Sequence, residues 1–265
     1  MPSKIEYLNR VREGRCTRCG GKNDRPGMAK CYQCYAAELL RRKSVRLLEG
    51  KPVFTKREVN IIKKSSSARS DLFLNPEYYN VAVLDIETTG LKGDFDIVLC
   101  GVIKPYGTFD SIEPTPLVIN LEGKDMLKAE VEVIESLNEA IEGYDGVITY
   151  FGSRFDVPFL RIRSTYHGLK PIPKMKHLDL FFTVKRIFGP LSRKRMDSVN
   201  ELFRIAEPDL PQKTNIDMRE WMPAMFSHSE TALNYVVEHC MKDVIILENL
   251  TKRLKDFVSD RIVRM

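Results

Sequence analysis

Two carboxylates end an otherwise apolar stretch of the chain, and they are the first residues that could do chemistry. The segment YNVAVLDIETTG, residues 79–90, places Asp85 and Glu87 directly after a run of small and branched apolar residues. Because side chains alternate along a strand, both carboxylates lie on one face. Burying two neighbouring negative charges is costly unless they are paired, hydrogen-bonded or bound to a metal. The pattern therefore predicts a divalent-cation site where this strand ends.

The cysteines near the N-terminus predict a second metal site. Four of the six cysteines lie in CTRCGGKNDRPGMAKCYQC, namely Cys16, Cys19, Cys31 and Cys34. Two C-x-x-C pairs at this spacing can each fold as a tight knuckle around one tetrahedral Zn²⁺. A loop this short has almost no core, so the metal would supply most of its folding energy. A redox or disulfide function is the alternative.

Two further acidic residues are notable for their settings. Asp156 follows GVITYFGSRF, where a buried strand passes into a helix, and Asp243 lies within an apolar helix. His239 precedes Asp243 by four residues, so their side chains project from one helix face. Taken singly, either aspartate could equally be a helix cap or a surface charge.

The pattern of elements shows what would bring these residues together. Short apolar strands are expected at 81–86 and in DIVLCGVIKP, TPLVIN and DGVITYF. Helical spacing is found in DMLKAEVEVIESLNEAIEGY and DVPFLRIRSTYHG, and HLDLFFTVKRIFG begins as a short strand or a helix. The long segment SETALNYVVEHCMKDVIILENLTKRLKDFV starts at a serine cap. This order predicts a mixed α/β sheet covered by helices.

Taken together, the four carboxylates resemble those of the DEDD 3′–5′ exonucleases, which have a ribonuclease H-like fold. LDIETTG matches the first motif with Asp85 and Glu87, YFGSRFDVPFL matches the second with Asp156, and HCMKDV matches the third with Asp243. The resemblance covers roughly residues 78–255. It is closest to the proofreading domains of family B polymerases and to predicted prokaryotic exonucleases.

The resemblance implies a two-metal mechanism. Two Mg²⁺ or Mn²⁺ ions would sit on the carboxylates while water attacks a phosphodiester in line. Asp85 would bridge the ions, Glu87 and Asp243 would hold the ion on the nucleophile side, and Asp156 would hold the other. His239 would position or deprotonate the water, although the family usually has Tyr at this spacing or His one residue earlier.

The same resemblance suggests where the substrate is bound. Phe151 occupies a position where the second motif usually has Asn; its ring would stack on a base, or it would pack in the core. Asp179 in KHLDLF is expected near the site or as a helix cap. The remaining candidate substrate-binding residues lie in the motifs and in a basic loop: Thr88, Phe155, Arg193, Lys194 and Arg195.

Charge and composition suggest how the chain is organised. Residues 1–70 hold 18 Lys and Arg against 6 Asp and Glu, a balance of +12, whereas the whole chain has a net charge of +6. A basic arm favours a polyanionic partner, although it could also be only a solvated surface. We expect a basic zinc module with a following helix over 1–50, a linker over 51–75 and a ribonuclease H-like exonuclease domain over 76–265. No apolar stretch suits a membrane span or a secretion signal, so an intracellular protein is expected.

The sequence leaves the substrate open between DNA and RNA, because no motif encodes contacts to a 2′-hydroxyl. Single-stranded 3′ ends are the expected partner, and proofreading would require a separate polymerase or repair protein. Two alternatives to an exonuclease remain. One is a nucleic-acid-binding relative that has lost catalysis, which the presence of all four carboxylates disfavours. The other is a structure-specific endonuclease that uses the same metals.

Overall fold

The computed structural model describes two separate parts of the chain. One unit comprises Met1–Ala68 and the other Arg69–Met265. The described residues are 6, 9–10, 13–23, 29–31, 33–35, 70–76, 78–107, 117–121, 125–204, 212–226, 229–258 and 263–264. The predicted basic helix over 36–50 and most of the predicted linker lie outside them. Within the described residues, no helix is long and apolar enough to cross a membrane.

The second unit is built on a six-stranded mixed sheet with the strand order β3-β2-β1-β4-β5-β6. Its strands are β1 (Val81–Thr88), β2 (Val98–Pro105), β3 (Leu117–Asn120), β4 (Gly146–Thr149), β5 (Lys176–Asp179) and β6 (Val263–Arg264). Its helices are α1 (Ser70–Phe73), α2 (Met126–Glu142), α3 (Asp156–Tyr166), α4 (Leu180–Ile187), α5 (Met196–Arg204), α6 (Met218–Phe226) and α7 (Glu230–Leu254). The predicted mixed α/β sheet flanked by helices is confirmed.

Strand β1 lies in the middle of the sheet, between β2 and β4, and nearly every residue in it is therefore buried. Only Asp85 and Glu87 are partly exposed along its length. The strand pairs antiparallel with β2 and parallel with β4, and β4 pairs parallel with β5. The carboxyl ends of β1, β4 and β5 therefore meet at one edge of the sheet, where the connecting turns begin.

Helices cover both faces of the sheet, as expected for strands with apolar residues on either side. On one face, α2 approaches β2 closely enough that a Cβ on Gly101 would lie 2.6 Å from Leu137 Cδ2. On the other face, α7 packs on β1 and β2. Its Cys240 thiol contacts Asp85, which places both β1 carboxylates beneath α7.

The start of the second unit differs from the predicted boundary. Residues up to 75 were expected in the linker, but Phe73 in α1 is fully buried. Its ring lies 5.7 Å from that of Tyr79 and would contact a Cβ on Gly146. A helix of four residues is too short to show periodicity, so the sequence pattern did not indicate that Phe73 is buried.

Several elements follow the sequence pattern, and others do not. Helix α7 begins after Ser229, whose side chain accepts a hydrogen bond from Ala232 N, as the predicted cap requires. Asp179 ends β5 and caps α4, so HLDLFFTVKRIFG contains both a strand and a helix. Helices α5 and α6 were not predicted; α6 contains Pro223, which normally argues against a helix interior.

Candidate active site and cysteine cluster

Strand β1 brings Asp85 and Glu87 to the carboxyl edge of the sheet on the face beneath α7. The Cys240 thiol donates to Asp85 Oδ2 at 3.4 Å. Cys240 is fully buried, so this contact is shielded from solvent. Single ligand atoms of Asp85, Glu87 and Cys240 lie within 4.8 Å of one another.

Asp156 reaches the same strand from the first turn of α3. It is 4% exposed, and its Oδ1 accepts a hydrogen bond from Ile86 N at 3.3 Å. The described pairing of β1 with β4 ends at Val83, so Asp156 satisfies a backbone donor beyond that pairing. The hydrogen bond holds the Asp156 carboxylate beside the backbone N–H of Ile86, the residue between Asp85 and Glu87.

Helix α7 supplies the other two predicted residues from a single face. His239 Nε2 lies 3.8 Å from Asp243 Oδ2 and 3.9 Å from Glu87 Oε1. Ligand atoms of Glu87, His239 and Asp243 also lie within 4.8 Å of one another. The i, i+4 spacing on the helix thus produces the expected juxtaposition with β1.

The imidazole of His239 is held from its other side by groups that were not predicted. Its Nδ1 lies 2.9 Å from Thr214 Oγ1, and the ring meets Trp221 edge to face with centroids 5.6 Å apart. Burial lowers the pKa of His239, against the opposing effect of Asp243. A neutral imidazole at neutral pH can accept a proton at Nε2.

The carboxylates strongly disfavour one another's ionisation. Burial raises the pKa of Asp85, and the charges of Asp156 and Asp243 raise it further. Burial, followed by the charge of Asp85, likewise raises the pKa of Glu87. Burial raises the pKa of Asp156 to about 7, against hydrogen bonds from its own N–H and that of Ile86. Such a cluster ionises fully only when a cation compensates its charge.

Two observations test whether a cation fits here. Asp243 Oδ1 is buried and has no hydrogen-bond partner among the described residues, although a buried carboxylate oxygen normally has one. The other oxygen, Oδ2, pairs with the Lys213 ammonium group. The positive charge of Lys213 also opposes the rise in the pKa of Asp85 and Glu87, although the pKa of both stays raised. The Lys213 ammonium therefore lies where the carboxylates favour a positive charge. Their oxygen atoms are the ligands that Mg²⁺ and Mn²⁺ prefer.

The predicted substrate-binding residues surround the same edge, and their roles stay predictions. Thr88 is buried and donates to Gly90 O at 2.5 Å, which shapes the turn after β1. Phe155 directly precedes Asp156 and packs on Phe159 with ring centroids 5.5 Å apart. Phe151 is 44% exposed, so the alternative of core packing does not describe it.

The basic loop between α4 and α5 presents its charges unequally. Arg193 is exposed, whereas Lys194 turns its Nζ onto Leu191 O at 2.6 Å. Arg195 is exposed and pairs with Asp197 at 3.3 Å. The loop is attached to the strand edge because the Tyr150 hydroxyl donates to Lys194 O at 2.5 Å.

The four N-terminal cysteines form a cluster in the first unit. Their Sγ atoms all lie within 4.8 Å of one another, and Cys19 Sγ is 3.9 Å from Cys31 Sγ. A tetrahedron of thiolates around Zn²⁺ at about 2.3 Å requires sulfur–sulfur separations of about 3.8 Å, so the cluster has a suitable size. All four cysteines are free, so the disulfide alternative is not observed.

The knuckle geometry also suits a metal. Gly20, at a φ of 77°, donates its N–H to Cys16 O at 2.9 Å, and Cys16 N donates to Gly21 O. Burial would raise the pKa of Cys16, but three backbone N–H groups donate to its sulfur and lower the pKa to about 6. Burial raises the pKa of Cys31, and burial together with the neighbouring sulfurs raises the pKa of Cys34. Four thiolates can therefore be present together only when a cation compensates their charge, as zinc would.

The structure adds residues that the sequence patterns did not indicate. Lys213 and Thr214 belong to an extended segment without periodicity before α6, so no pattern pointed to them. Lys213 lies thirty residues before Asp243, and only the return of the chain along α6 and α7 brings the two together. Trp221, the only tryptophan in the chain, was the one available signal in this region.

Comparisons with known proteins agree with the observed fold. A DNA polymerase from Methanocaldococcus jannaschii is 25% identical over 114 residues, which are 35% of this chain and 7% of that protein. The structure of the family B DNA polymerase from the archaeon Pyrobaculum calidifontis aligns with a TM-score of 0.52 and 18% identity. That alignment covers 66% of this chain but only 24% of the polymerase, so the chain corresponds to a small part of either relative.

The family comparison is broader. The model of the RNase_H superfamily matches residues 82–255, which include all four carboxylates and more than half of the chain. The match agrees with the predicted extent of the resemblance and with the observed order of strands. The chain therefore belongs to the RNase_H superfamily.

Proposed function

We propose that this protein is a divalent-cation-dependent 3′–5′ exonuclease that hydrolyses phosphodiester bonds in single-stranded DNA or RNA. The observation that carries the proposal is the convergence of Glu87, His239 and Asp243 beside Asp85. Membership of the RNase_H superfamily supports a nuclease. The direction of cleavage comes from the DEDD resemblance of the three motifs.

Each residue has a role that follows from its surroundings. Asp85, Glu87, Asp156 and Asp243 would hold two Mg²⁺ or Mn²⁺ ions. Bound ions would stabilise the charge that develops on the phosphoryl and leaving oxygens. His239 Nε2 would accept the proton of the attacking water, and its Nδ1 contact with Thr214 keeps the ring oriented toward Glu87.

The cysteine cluster would hold one structural Zn²⁺ through Cys16, Cys19, Cys31 and Cys34. Its described surface includes Arg15, Arg18 and Lys22, which are exposed. We propose that this basic unit strengthens the binding of nucleic acid by contacts with phosphates, without reading bases. A polymerase or repair protein is a further possible partner of the whole chain.

The test uses 5′-labelled single-stranded DNA and RNA oligonucleotides with Mg²⁺ or Mn²⁺. A ladder that shortens from the 3′ end is expected, EDTA should abolish it, and added metal should restore it. Circular single strands should stay intact, because an exonuclease needs an end. Cleavage of circles would favour an endonuclease, and full activity in chelator would contradict the metal-dependent mechanism.

A matched pair of variants assigns the activity to the site. Asp243→Asn removes a charge at the cluster, whereas Glu139→Gln removes an exposed charge from α2 on the other face of the sheet. Only the first should abolish the ladder. Equal activity of both variants would show that the cleavage comes from elsewhere or from a contaminant.

A further inference from the structure

Phe151 has an unusual backbone conformation at the carboxyl edge of the sheet. Its φ is 69°, and it is the only residue other than glycine with a positive φ in the described parts of the chain. A bulky side chain in this region of conformational space is an outlier, because the Cβ crowds the neighbouring carbonyl. The surrounding structure must supply the free energy that maintains it.

A set of hydrogen bonds holds the turn in this conformation. Asp179 Oδ1 accepts from Phe151 N at 2.8 Å, and Asp179 Oδ2 accepts from Ser153 N at 3.0 Å. Thr149 Oγ1 accepts from Gly152 N at 3.1 Å, so close that a Cβ on Gly152 would clash with it. The turn is thus fixed from β4 and β5 at once, and it directs the Phe151 ring outward.

The ring does not enter the core. Phe151 is 44% exposed and Phe182 is 39% exposed, and their rings are inclined by only 26° with centroids 6.5 Å apart. Phe181 supports both edge to face, at 4.9 Å from Phe151 and 5.3 Å from Phe182. We call Phe151, Phe181 and Phe182 the aromatic platform.

The aromatic platform adjoins the catalytic residues and a source of positive charge. The turn that carries Phe151 leads directly into α3, whose first residue is Asp156. Tyr150, the preceding residue, is hydrogen-bonded to the basic loop at Lys194 O. Exposed aromatic rings beside cations are the combination that binds single-stranded nucleic acid without sequence preference.

We propose that the aromatic platform stacks the unpaired base at the 3′ end of the substrate and so selects single strands. The inference rests on the proposed nuclease function. A base within a duplex already stacks on both of its neighbours, so it offers no free face to Phe151. Asp179 is a positioning residue in this scheme, because it would act on the base through the Phe151 backbone that it holds.

Binding measurements test the platform separately from catalysis. The full chain with Asp243→Asn is titrated with fluorescein-labelled oligothymidylate and with the same probe ending in an abasic 3′ nucleotide. Adding Phe151→Gly should weaken binding of the first probe about 5- to 150-fold, the equivalent of ~1–3 kcal/mol per stacked base. It should leave binding of the abasic probe unchanged, because that probe has no terminal base to stack.

Stability distinguishes stacking from a structural role. Glycine adopts a φ of 69° without strain, so Phe151→Gly should unfold at a denaturant concentration equal to or higher than the parent does. Phe182→Ala should repeat the selective loss of binding without touching the strained residue. Tyr166→Ala is the control: its ring is 62% exposed and lies about 15 Å from Asp156 along the same helix.

The outcomes separate the two proposals. Equal losses on both probes, or none on either, for Phe151→Gly and Phe182→Ala would overturn the aromatic platform. A marked drop in stability of Phe151→Gly, with no selective loss in Phe182→Ala, would assign the ring to the fold. If the wild-type chain cleaved neither DNA nor RNA while these variants still lost binding selectively, the platform would stand and the nuclease would be overturned.

Discussion

The cysteine cluster and the carboxylate cluster each bring together four side chains that we propose bind metal, but they do so by opposite means. Cys16 to Cys34 are close in sequence, and local turns with the short bridge between Arg15 and Lys22 accompany their approach in the described residues. Asp85 and Asp243 are far apart in sequence, and the sheet and α7 bring them together. Among the residues that the structure describes, the buried apolar cluster of the first unit consists of Cys16, Cys31 and Cys34, whereas the carboxylates lie on a large buried core. The metal should therefore organise the first unit but only neutralise a preformed site in the second.

The largest expected effect is on the cysteine cluster. Cys16→Ser should abolish binding of one Zn²⁺ per chain and unfold the first unit, since metal binding in such modules is worth about 10–16 kcal/mol. Metal content by mass spectrometry and limited proteolysis of residues 1–68 would measure this. Asp243→Asn should leave the zinc content unchanged. If the first unit stayed folded without metal, the inference that the metal organises this unit would be wrong.

Replacing a carboxylate should have the opposite pattern of effects. Asp85→Ala or Asp243→Ala should lower turnover by several orders of magnitude, because the cations lose a ligand. For Asp85→Ala the metal-free fold should be at least as stable, since burial and then the neighbouring carboxylates raise the pKa of Asp85. Asp243→Ala also removes the partner of the Lys213 ammonium, so the gain in stability is expected only for Asp85→Ala. Single-turnover cleavage and denaturant unfolding measure the two quantities. If either variant retained turnover close to that of the parent, its assignment as a ligand would be wrong.

A smaller loss of turnover is expected at the imidazole. His239→Ala should reduce turnover roughly 10²–10⁴-fold, as for removal of a general base. Thr214→Val keeps the imidazole but removes its contact at Nδ1. We therefore expect turnover to fall by about tenfold. Single-turnover rates at saturating metal would show this graded series. Equal effects of both substitutions would indicate that the contact, rather than the base, is what matters.

The contrast between the two clusters also explains what the sequence could predict. The spacing of the cysteines is itself the geometry of the site, so the pattern alone identified Cys16, Cys19, Cys31 and Cys34. Asp85 and Glu87 were found because they follow the apolar run of β1, Asp156 because it begins a helix after a buried strand, and Asp243 because it lies within an apolar helix. The motifs then placed them together through the resemblance to exonucleases.

The residues that escaped prediction lie where local patterns carry no information. Lys213 and Thr214 reach the site from an aperiodic segment, and their partners are set entirely by tertiary packing. The strained φ of Phe151 depends on hydrogen bonds that Phe151 N and Ser153 N donate to Asp179, which lies on the neighbouring strand. Phe73 joined the second unit through a buried ring in a helix of four residues, too short for a periodic signal.

The core of the second unit should respond to acid through a residue that binds no metal. His177 is buried on β5, its Nε2 lies 2.7 Å from Thr149 Oγ1, and burial lowers its pKa to about 4. The unfolded state, with a pKa near 6.5, therefore binds the proton more readily. Stability is fully present above about pH 6.5 and declines as the pH falls toward 4.

The expected loss is about 3 kcal/mol between pH 7 and pH 4, from a shift of between two and three pKa units. His177→Gln should show a flatter decline over this range, measured as the free energy of unfolding in urea. His167→Gln provides a histidine control at the end of α3, outside β5. Parallel pH profiles for the parent and His177→Gln would contradict the buried neutral imidazole.

The smallest expected effect tests whether the first unit contributes to binding. The segment 1–70 carries a net charge of +12, and such a surface gains affinity by displacing counterions from phosphates. Removal of residues 1–68 should weaken oligonucleotide binding and flatten its salt dependence, each lost phosphate contact lowering the logarithmic slope by about 0.7 for single strands. Turnover on saturating short oligonucleotides should survive, because every proposed catalytic residue lies in the second unit.

Unchanged affinity at low salt would exclude a role of the first unit in nucleic-acid binding and favour a protein partner. A truncated chain that does not fold would instead show that the first unit supports the second, and that the difference between the two clusters does not extend to independent folding.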